Sequence, residues 1–415
     1  MDIYSTSQIG LFDIFRRQNA MESMDAKKFM SRLVKSSKQK AKLKVCPLCG
    51  KEQTSFCNSH SIPQFVLNNI AVNGKLLQFA ALAAYKPMIE ENLVDIEKGI
   101  KNSCTFQFIC RECDSKLFSD YEDEISLCKL PTRRMMAEID VKNSLLMLYK
   151  RLYELPMYES LAEILTTVDQ GNAIEFKSYD VRDYYNDLSE SMRIVAGEHS
   201  AGYKLLYWNV LPYKVPLACQ THLALEKTIL GNRINDIYSN DPNYAIQNAH
   251  LCVFPLKDKT AIILFYPKRN KRYMALEREF NCLTEKAKLQ YISYLIFSQT
   301  ENFVLSPAIS KELLQNTYLK LAAQESQGVP NMGFVPKGLA GIVKQYYIPI
   351  SWKQVPNIFD LKYEINLFYG ALSMETSTSS FDWALFWQAA SAISTSIAVI
   401  VALWQTTYNN KKKSK

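Results

Sequence analysis

The chain has 415 residues, 48% hydrophobic and 22% charged, with 24 Tyr and 20 Phe. That composition excludes a disordered or collagen-like chain, and the length suggests about two or three folded domains. A net charge of +8 is compatible with nucleic acid or an anionic membrane surface as partner and demands neither.

The N-terminal residues MDIYSTSQIGLFDIFRRQ carry an acid at the second position and no continuous apolar run. They do not show the pattern of a signal peptide. The ten cysteines are spread along the chain rather than packed into a dense disulfide framework. Both features place the body in a reducing cytoplasm. Residues 1–44 form a basic arm, with Lys27, Lys28, Arg32, Lys35, Lys38, Lys40, Lys42 and Lys44. Two readings stay open: a stretch that steers the protein to phosphate backbone through Lys35, Lys38, Lys40, Lys42 and Lys44, or a solvated linker.

Residues 45–128 hold the cysteine motifs. CPLCG supplies Cys46 and Cys49, and CREC supplies Cys110 and Cys113. Two Cys-x-x-Cys pairs separated by a long insert are the usual way to aim four thiolates at one tetrahedral Zn²⁺; reduced structural cysteines without metal are the alternative. Cys57 is a further thiol that could substitute for one of the four. Between the pairs lies SHSIP, with His60, one of four histidines in the chain. QFVLNNIAV is compatible with a short helix, TFQFIC alternates like a strand, and DSKLFSDYEDEISL reads as a helix. Asp120, Glu122, Asp123 and Glu124 would form that helix's solvated face.

Residues 130–370 read as a mixed α+β domain. From Arg133 to Glu154 apolar residues recur at helical spacing, and Pro156 is expected to end that helix. One or two further helices are expected over 158–200. YKLLYWNVLPYKVPLACQTHLAL holds two strand-like runs. HLCVFPLKDKTAIILFY reads as a hairpin turning at Lys257–Asp258–Lys259. The basic loop PKRNKR could meet phosphates or be an ordinary exposed turn. Residues 282–300 read as an amphipathic helix and 301–356 as irregular. There is no phosphate-binding loop, dinucleotide fingerprint or nucleophile elbow.

No charged residue lies between Asp382 and Lys411. The segment 383–404, at helical rise, spans about 30 Å, enough to cross a membrane. Trp383, Phe386 and Trp387 stand at one end, Trp404 and Tyr408 at the other, and a Lys-rich tail (405–415) follows. Ala390, Ser394, Ala398 and Ala402 form a small-residue face suited to self-association of two such helices. The alternative is a buried or interfacial helix. A single-pass anchor with a cytoplasmic body is the expectation, although the lysines by themselves favour the opposite orientation.

The order CPLCG, SHSIPQF, TFQFIC, CRECDSK resembles the zinc-stapled HNH endonucleases of the ββα-metal, treble-clef-like fold, over residues 46–117. The resemblance implies that His60 is a general base activating water, beside a catalytic divalent ion such as Mg²⁺. It implies nucleic acid, DNA or RNA, as substrate. Ser59 stands where that pattern carries an acidic metal ligand and Thr105 where it carries a strand asparagine; Asp114 follows the last cysteine in place of an asparagine. By the same resemblance Asp114 would take the metal and Thr105 would orient the imidazole. The alternative for His60 is a structural role beside the knuckle. The expected fold is therefore α+β: a small zinc-bound module, a larger mixed domain and a C-terminal transmembrane helix. The two functional expectations are a membrane-anchored nuclease and a non-catalytic, zinc-stabilised scaffold.

Overall fold

The computed structural model describes residues 32–79, 94–164, 171–198, 201–237, 239, 241–326 and 350–365. The segment 383–404, with Ala390, Ser394, Ala398 and Ala402, lies outside them, as do Lys27 and Lys28. Among the described residues no helix is long and apolar enough to cross a membrane.

A helix over residues 32–40 (α1) leads into the first cysteine knuckle. Strand β1 (Ser59–His60) and helix α2 (Gln64–Ile70) follow, then β2 (Lys75–Phe79), β3 (Val94–Gly99) and β4 (Thr105–Phe106). Helices α3 (Arg111–Leu117) and α4 (Glu124–Leu127) come next. The sequence suggests one helix here; the chain breaks it at 118–123, where Glu138 accepts the backbone N–H groups of Asp120 and Tyr121 (2.9 and 3.4 Å). A buried carboxylate that satisfies loop amides competes with continued helix.

Two long helices, α5 (Arg133–Ile164) and α6 (Gly171–Val195), pack against each other. The expectation that Pro156 ends the first is corrected: α5 runs through it to Ile164. Proline removes one i→i−4 bond at a cost of about 3 kcal/mol. Burial of Tyr153, Met157 and Tyr158 around that point offsets it, each contributing on the order of 2 kcal/mol.

Strands β5 (Tyr203–Leu211), β6 (Leu217–Leu223), β7 (Ala249–Pro255) and β8 (Thr260–Pro267) match the strand-like runs of the sequence. The β7–β8 hairpin turns where expected, with Leu256 N donating to Lys259 O at 2.8 Å. Helices α7 (Tyr273–Asn281) and α8 (Glu285–Gln299) follow. The amphipathic reading of 282–300 is corrected: Leu289, Tyr291, Ile292, Ser293, Leu295, Ile296, Phe297 and Ser298 are buried, so α8 is covered on most of its circumference. The stretch 301–356 is more regular than its composition suggests. It contains β9 (Phe303–Leu305), α9 (Lys311–Leu314) and α10 (Thr317–Ser326).

One seven-stranded sheet, ordered β3-β2-β9-β6-β7-β8-β5 with antiparallel pairings, organises these elements. Successive residues of its central strands bury on opposite faces. Leu251, Val253, Ile262 and Leu264 pack with α7, α8 and α10. Cys252, Phe254, Ile263 and Phe265 pack with α5 and with Ile62, Val66 and Ile70 from the cysteine-bearing region. A sheet buried on both sides explains why HLCVF and AIILFY are continuous apolar runs rather than alternating ones.

The cysteine-bearing region shares this sheet. Strands β2 and β3, from the insert between the two Cys-x-x-Cys pairs, form its edge, and β2 pairs with β9 through Leu77 and Leu305. Asn69 Nδ2 donates to Pro255 O (3.1 Å), and Ser61 Oγ donates to Asn302 Oδ1 (2.9 Å). The region read as 45–128 and the one read as 130–370 are thus joined by strand pairing and a common core.

Candidate functional site

The first knuckle is made by the local chemistry of CPLCG. Cys46 N bonds Lys51 O at 2.9 Å and Gly50 N bonds Cys46 O at 2.8 Å. Gly50 has φ +68°, the left-handed conformation that glycine adopts without penalty. The second knuckle opens α3, where Cys110 is the N-cap and its sulfur accepts Cys113 N (3.5 Å).

The two knuckles meet. The Sγ atoms of Cys46, Cys49, Cys110 and Cys113 lie within 4.8 Å of one another. Cys46–Cys113 and Cys49–Cys110 are separated by 3.9 and 3.8 Å. Thiolates at about 2.3 Å from a central Zn²⁺ would stand about 3.8 Å apart in a tetrahedron. The group can hold one metal ion such as zinc. Burial pushes the Cys46 thiol up, but backbone N–H groups of Cys110, Cys49 and Leu48 donate to it and bring its pKa below the ordinary value. Such donors favour the thiolate that a metal requires. Cys57 is not in the cluster; its Sγ meets Ile109 O at 3.2 Å.

The knuckles fix a small ββα unit: β1, β4 and α3. Strands β1 and β4 are antiparallel, with His60 opposite Thr105 and Ser59 opposite Phe106. Cys104, just before β4, is held at φ +53°. Its carbonyl accepts both the amide (2.7 Å) and the hydroxyl (3.0 Å) of Ser61, contacts that hold a backbone conformation unfavourable for a residue with a Cβ.

His60 is half-buried. Its Nε2 lies 3.1 Å from Ile100 O. A carbonyl only accepts, so Nε2 carries a proton and Nδ1 is the nitrogen able to take one. Burial holds the His60 pKa below its ordinary value, opposed by the Ile100 hydrogen bond; Lys142 lowers it further and Asp114 raises it. The orienting group is thus the Ile100 carbonyl. Thr105 Oγ1 lies 3.5 Å from Asn102 O, a long contact.

Asp114 sits in the first turn of α3, where a carboxylate is favoured by the helix dipole. It does not stand open. Ser59 Oγ donates to its Oδ1 at 2.6 Å, and the ammonium of Lys142, from the middle of α5, donates to the same oxygen at 2.9 Å. Lys142 Nζ also reaches Ser59 Oγ at 3.1 Å and Glu122 Oε1 at 3.4 Å, and lies 3.6 Å from the centroid of the Phe118 ring. Burial opposes ionisation of Asp114, but the charge of Lys142 and the Ser59 hydrogen bond hold its pKa below the usual value. Glu122 is exposed, as expected, and is also a partner of this ammonium.

Lys142 is the residue that sequence reasoning missed. Its side chain is 1% exposed. The available signal was the run AEIDVKNSL in α5, in which Glu138 and Lys142, one turn apart, share one side of the helix and Asp140 takes the other. Charges distributed around a helix leave no continuous solvated face, so a packed helix must bury some of them.

Two basic stretches resolve differently from their composition. Lys35, Lys40, Lys42 and Lys44 are exposed. Lys38 instead places its ammonium over the rings of Tyr149 and Tyr153 (5.8 and 5.2 Å). Burial and the charges of Lys98 and Lys150 bring its pKa down to about 8. In PKRNKR, Arg269 pairs with Asp187 (2.5 Å) and Arg272 bonds Tyr244 and Ala245 O. Those two arginines are occupied internally.

A second polar cluster lies on the other side of α5. Asp140 and His250 are fully buried, with His250 Nε2 3.5 Å from Asp140 Oδ1. Tyr203 OH donates to Asp140 Oδ2 (2.9 Å) and Ser144 Oγ donates to Oδ1 (3.1 Å). Asn143 Nδ2 lies 3.1 Å from His250 Nδ1. His250 stacks on Phe265, and His222 stands edge-on to Tyr184 and His250. This cluster is sealed from solvent and braces α5 against the sheet.

No protein-family model, no curated protein and no solved structure matches this chain.

Proposed function

We propose that the chain is a metal-stapled, HNH-like nuclease in which His60 is the general base for phosphodiester cleavage. The observation that supports this reading is the ββα unit itself: a histidine on one strand, a carboxylate on the following helix, and four thiols tying strand and helix together. Zinc, in this reading, is structural. Four thiolates leave it no open position for substrate.

The chemistry assigned to His60 follows from its hydrogen bond. With Nε2–H held on the Ile100 carbonyl, Nδ1 takes a proton from water as the oxygen attacks phosphorus; the P–O bond to the leaving sugar oxygen breaks, and that oxygen takes a proton from solvent. A pKa below the ordinary histidine value keeps the ring unprotonated and so able to accept a proton at neutral pH. The exposed Lys35, Lys40, Lys42 and Lys44 support nucleic acid as partner through phosphate contacts. The sequence of 383–404 supports a membrane anchor with the body in the cytoplasm, and its small-residue face supports self-association. Fractionation of the full chain tests the anchor: recovery in the soluble fraction without detergent contradicts it.

The test of the nuclease reading is plasmid nicking by the metal-loaded protein, with Mg²⁺, with Mn²⁺ and without either. Wild type should nick and His60→Ala should not. Equal nicking by both proteins places the activity elsewhere.

One observation favours a second reading, a non-catalytic scaffold. The Lys142 ammonium already occupies the oxygens of the site, hydrogen-bonding Asp114 and Ser59 and pairing with Glu122 at 3.4 Å. In that case neither protein nicks under any metal condition, while the metal staple and fold persist.

A further inference from the structure

Asp114, Glu122 and Ser59 turn three oxygens toward one point. Two carboxylates and a hydroxyl are hard donors of the kind that gather Mg²⁺ or Mn²⁺. That point holds Lys142 Nζ, 2.9 Å from Asp114 Oδ1, 3.1 Å from Ser59 Oγ and 3.4 Å from Glu122 Oε1. We propose that Lys142 is the resident cation of the His60 site, taking the place of a divalent ion and making the site independent of added metal. The inference stands on the surroundings of Lys142 and does not require His60 to be catalytic.

The geometry is that of a built cation position. An ammonium has three N–H donors and no acceptor; here it hydrogen-bonds Asp114 and Ser59 and stands 3.4 Å from a Glu122 oxygen. The remaining side is closed by the face of Phe118, whose π electrons attract a cation. The ammonium is inside, at 1% exposure, and its carboxylate partners form the rim, with Asp114 at 28% and Glu122 at 36%. A divalent ion approaching Asp114 from solvent would have to share its carboxylate with a positive charge directly behind it. The desolvation that makes a buried charge costly also makes that repulsion strong.

The scaffold fixes the ammonium from both directions. Glu138 lies one helical turn before Lys142 on α5. It holds the amides of Asp120 and Tyr121 and pairs with Arg134 (3.0 Å). This clamps the 118–123 segment that carries both Phe118 and Glu122. Asp114 is set by α3, whose start is fixed by the Cys110 knuckle. Lys142 is therefore a positioning residue: it orders Ser59, next to His60 in the strand, and neutralises Asp114, without reaching solvent itself. Two exposed-side carboxylates that would attract metal are instead spent on an internal charge.

The test is Mn²⁺ binding to the full-length protein with its cysteine site loaded, followed by the electron paramagnetic resonance of free Mn²⁺. Wild type should show no saturable uptake at millimolar Mn²⁺. Lys142→Met should gain one saturable ion per chain, lost again when Asp114→Asn is added. Saturable binding by wild type that Asp114→Asn removes overturns the proposal. So does a folded Lys142→Met protein that takes up no ion. If Lys142→Met does not fold, the ¹⁵N resonance of the Lys142 ammonium decides. It should exchange slowly, carry an upfield proton shift from the Phe118 ring, disappear in Lys142→Arg, and stay unmoved by Mg²⁺. Its displacement by Mg²⁺ overturns the proposal. None of these readouts uses cleavage, so they stand or fall separately from the nuclease reading tested by His60→Ala.

Discussion

Two buried polar clusters lie on opposite sides of the same helix, and they solve the same problem in different ways. On one side of α5, Lys142 gives Asp114 a full counter-charge at 2.9 Å, and the carboxylate stays ionised at the rim of the fold. On the other side Asp140 has hydroxyl partners, Tyr203 and Ser144, and a histidine at 3.5 Å. Burial there raises Asp140, and also Asp187, above the usual carboxylate range, with Arg269 opposing. Burial likewise holds His222 and His250 down at about 3, so both stay neutral. The difference is one of burial: at Asp114, 28% exposed, an ammonium outweighs desolvation, whereas at the more deeply buried Asp140 and Asp187 desolvation prevails, even with Arg269 in direct contact with Asp187.

The comparison can be broken at several points. The largest effect should come from the staple that positions α3, and with it Asp114 of the first cluster. Cys46→Ser or Cys110→Ser should abolish metal binding and unfold the β1–β4–α3 unit, since the free energy of metal binding is folding free energy for such a site. Metal content by elemental analysis and proteolysis of residues 45–128 would show it. Retention of metal and of protection would contradict the assignment.

Lys142→Ala comes next. It removes the buried ammonium and its hydrogen bonds to Asp114 and Ser59 and should cost about 2 kcal/mol, the order for a hydrogen bond to a charged group. Asp140→Asn, by contrast, should change stability by no more than about 1 kcal/mol, because the amide can still accept from Tyr203 and no buried charge is removed from a partner. Denaturant midpoints of the two variants measure the contrast. If Asp140→Asn is the more damaging, the assignment of the two clusters is reversed.

The histidines add a pH dependence of defined sign. A folded-state pKa near 3 for His222 and His250, below the ordinary value of about 6.5, means the unfolded chain takes up protons first. Their stabilisation is complete above about pH 6.5 and declines as pH falls toward 3. The raised carboxylates act in the opposite sense: their contribution is greatest below about pH 4 and is lost as pH rises through their folded values. His250→Gln should therefore flatten the acid limb of the stability profile between about pH 6.5 and 4. An unchanged limb would mean that His250 is already protonated in the fold.

The smallest effect should be at Lys38. Its ammonium rests over Tyr149 and Tyr153, a contact of about 1 kcal/mol or less at a half-buried position. Lys38→Ala should lower stability by that amount and leave nucleic-acid affinity nearly intact. Removing Lys42 and Lys44 together should reduce affinity and flatten its salt dependence.

Much of the fold is legible in the sequence because it is written in local pattern. The two Cys-x-x-Cys pairs, the β7–β8 hairpin with its Lys257–Asp258–Lys259 turn, and the helical period from Arg133 onward depend on neighbours within a few residues. What could not be read depends on distant partners. Pro156 signals a helix end, yet burial of Met157 and Tyr158 carries α5 past it. The strands β2 (KLLQF) and β3 (VDIEKG) are short, and their place at the edge of the sheet follows from β9, more than two hundred residues later. Glu122 reads as a solvated acid and is exposed, but its pairing with Lys142 of α5 could not be read. Ser59 illustrates the same limit at the site. As a metal ligand a hydroxyl is inferior to a carboxylate, but between an ammonium and Asp114 it accepts one hydrogen bond and donates the other.

The central claim is that the His60 site carries its own cation. Its most direct functional test is the metal dependence of plasmid nicking by the protein with its cysteine site loaded. The account predicts that His60-dependent nicking proceeds to the same extent with and without added Mg²⁺. Nicking that is switched on by Mg²⁺ and abolished by Asp114→Asn would contradict it.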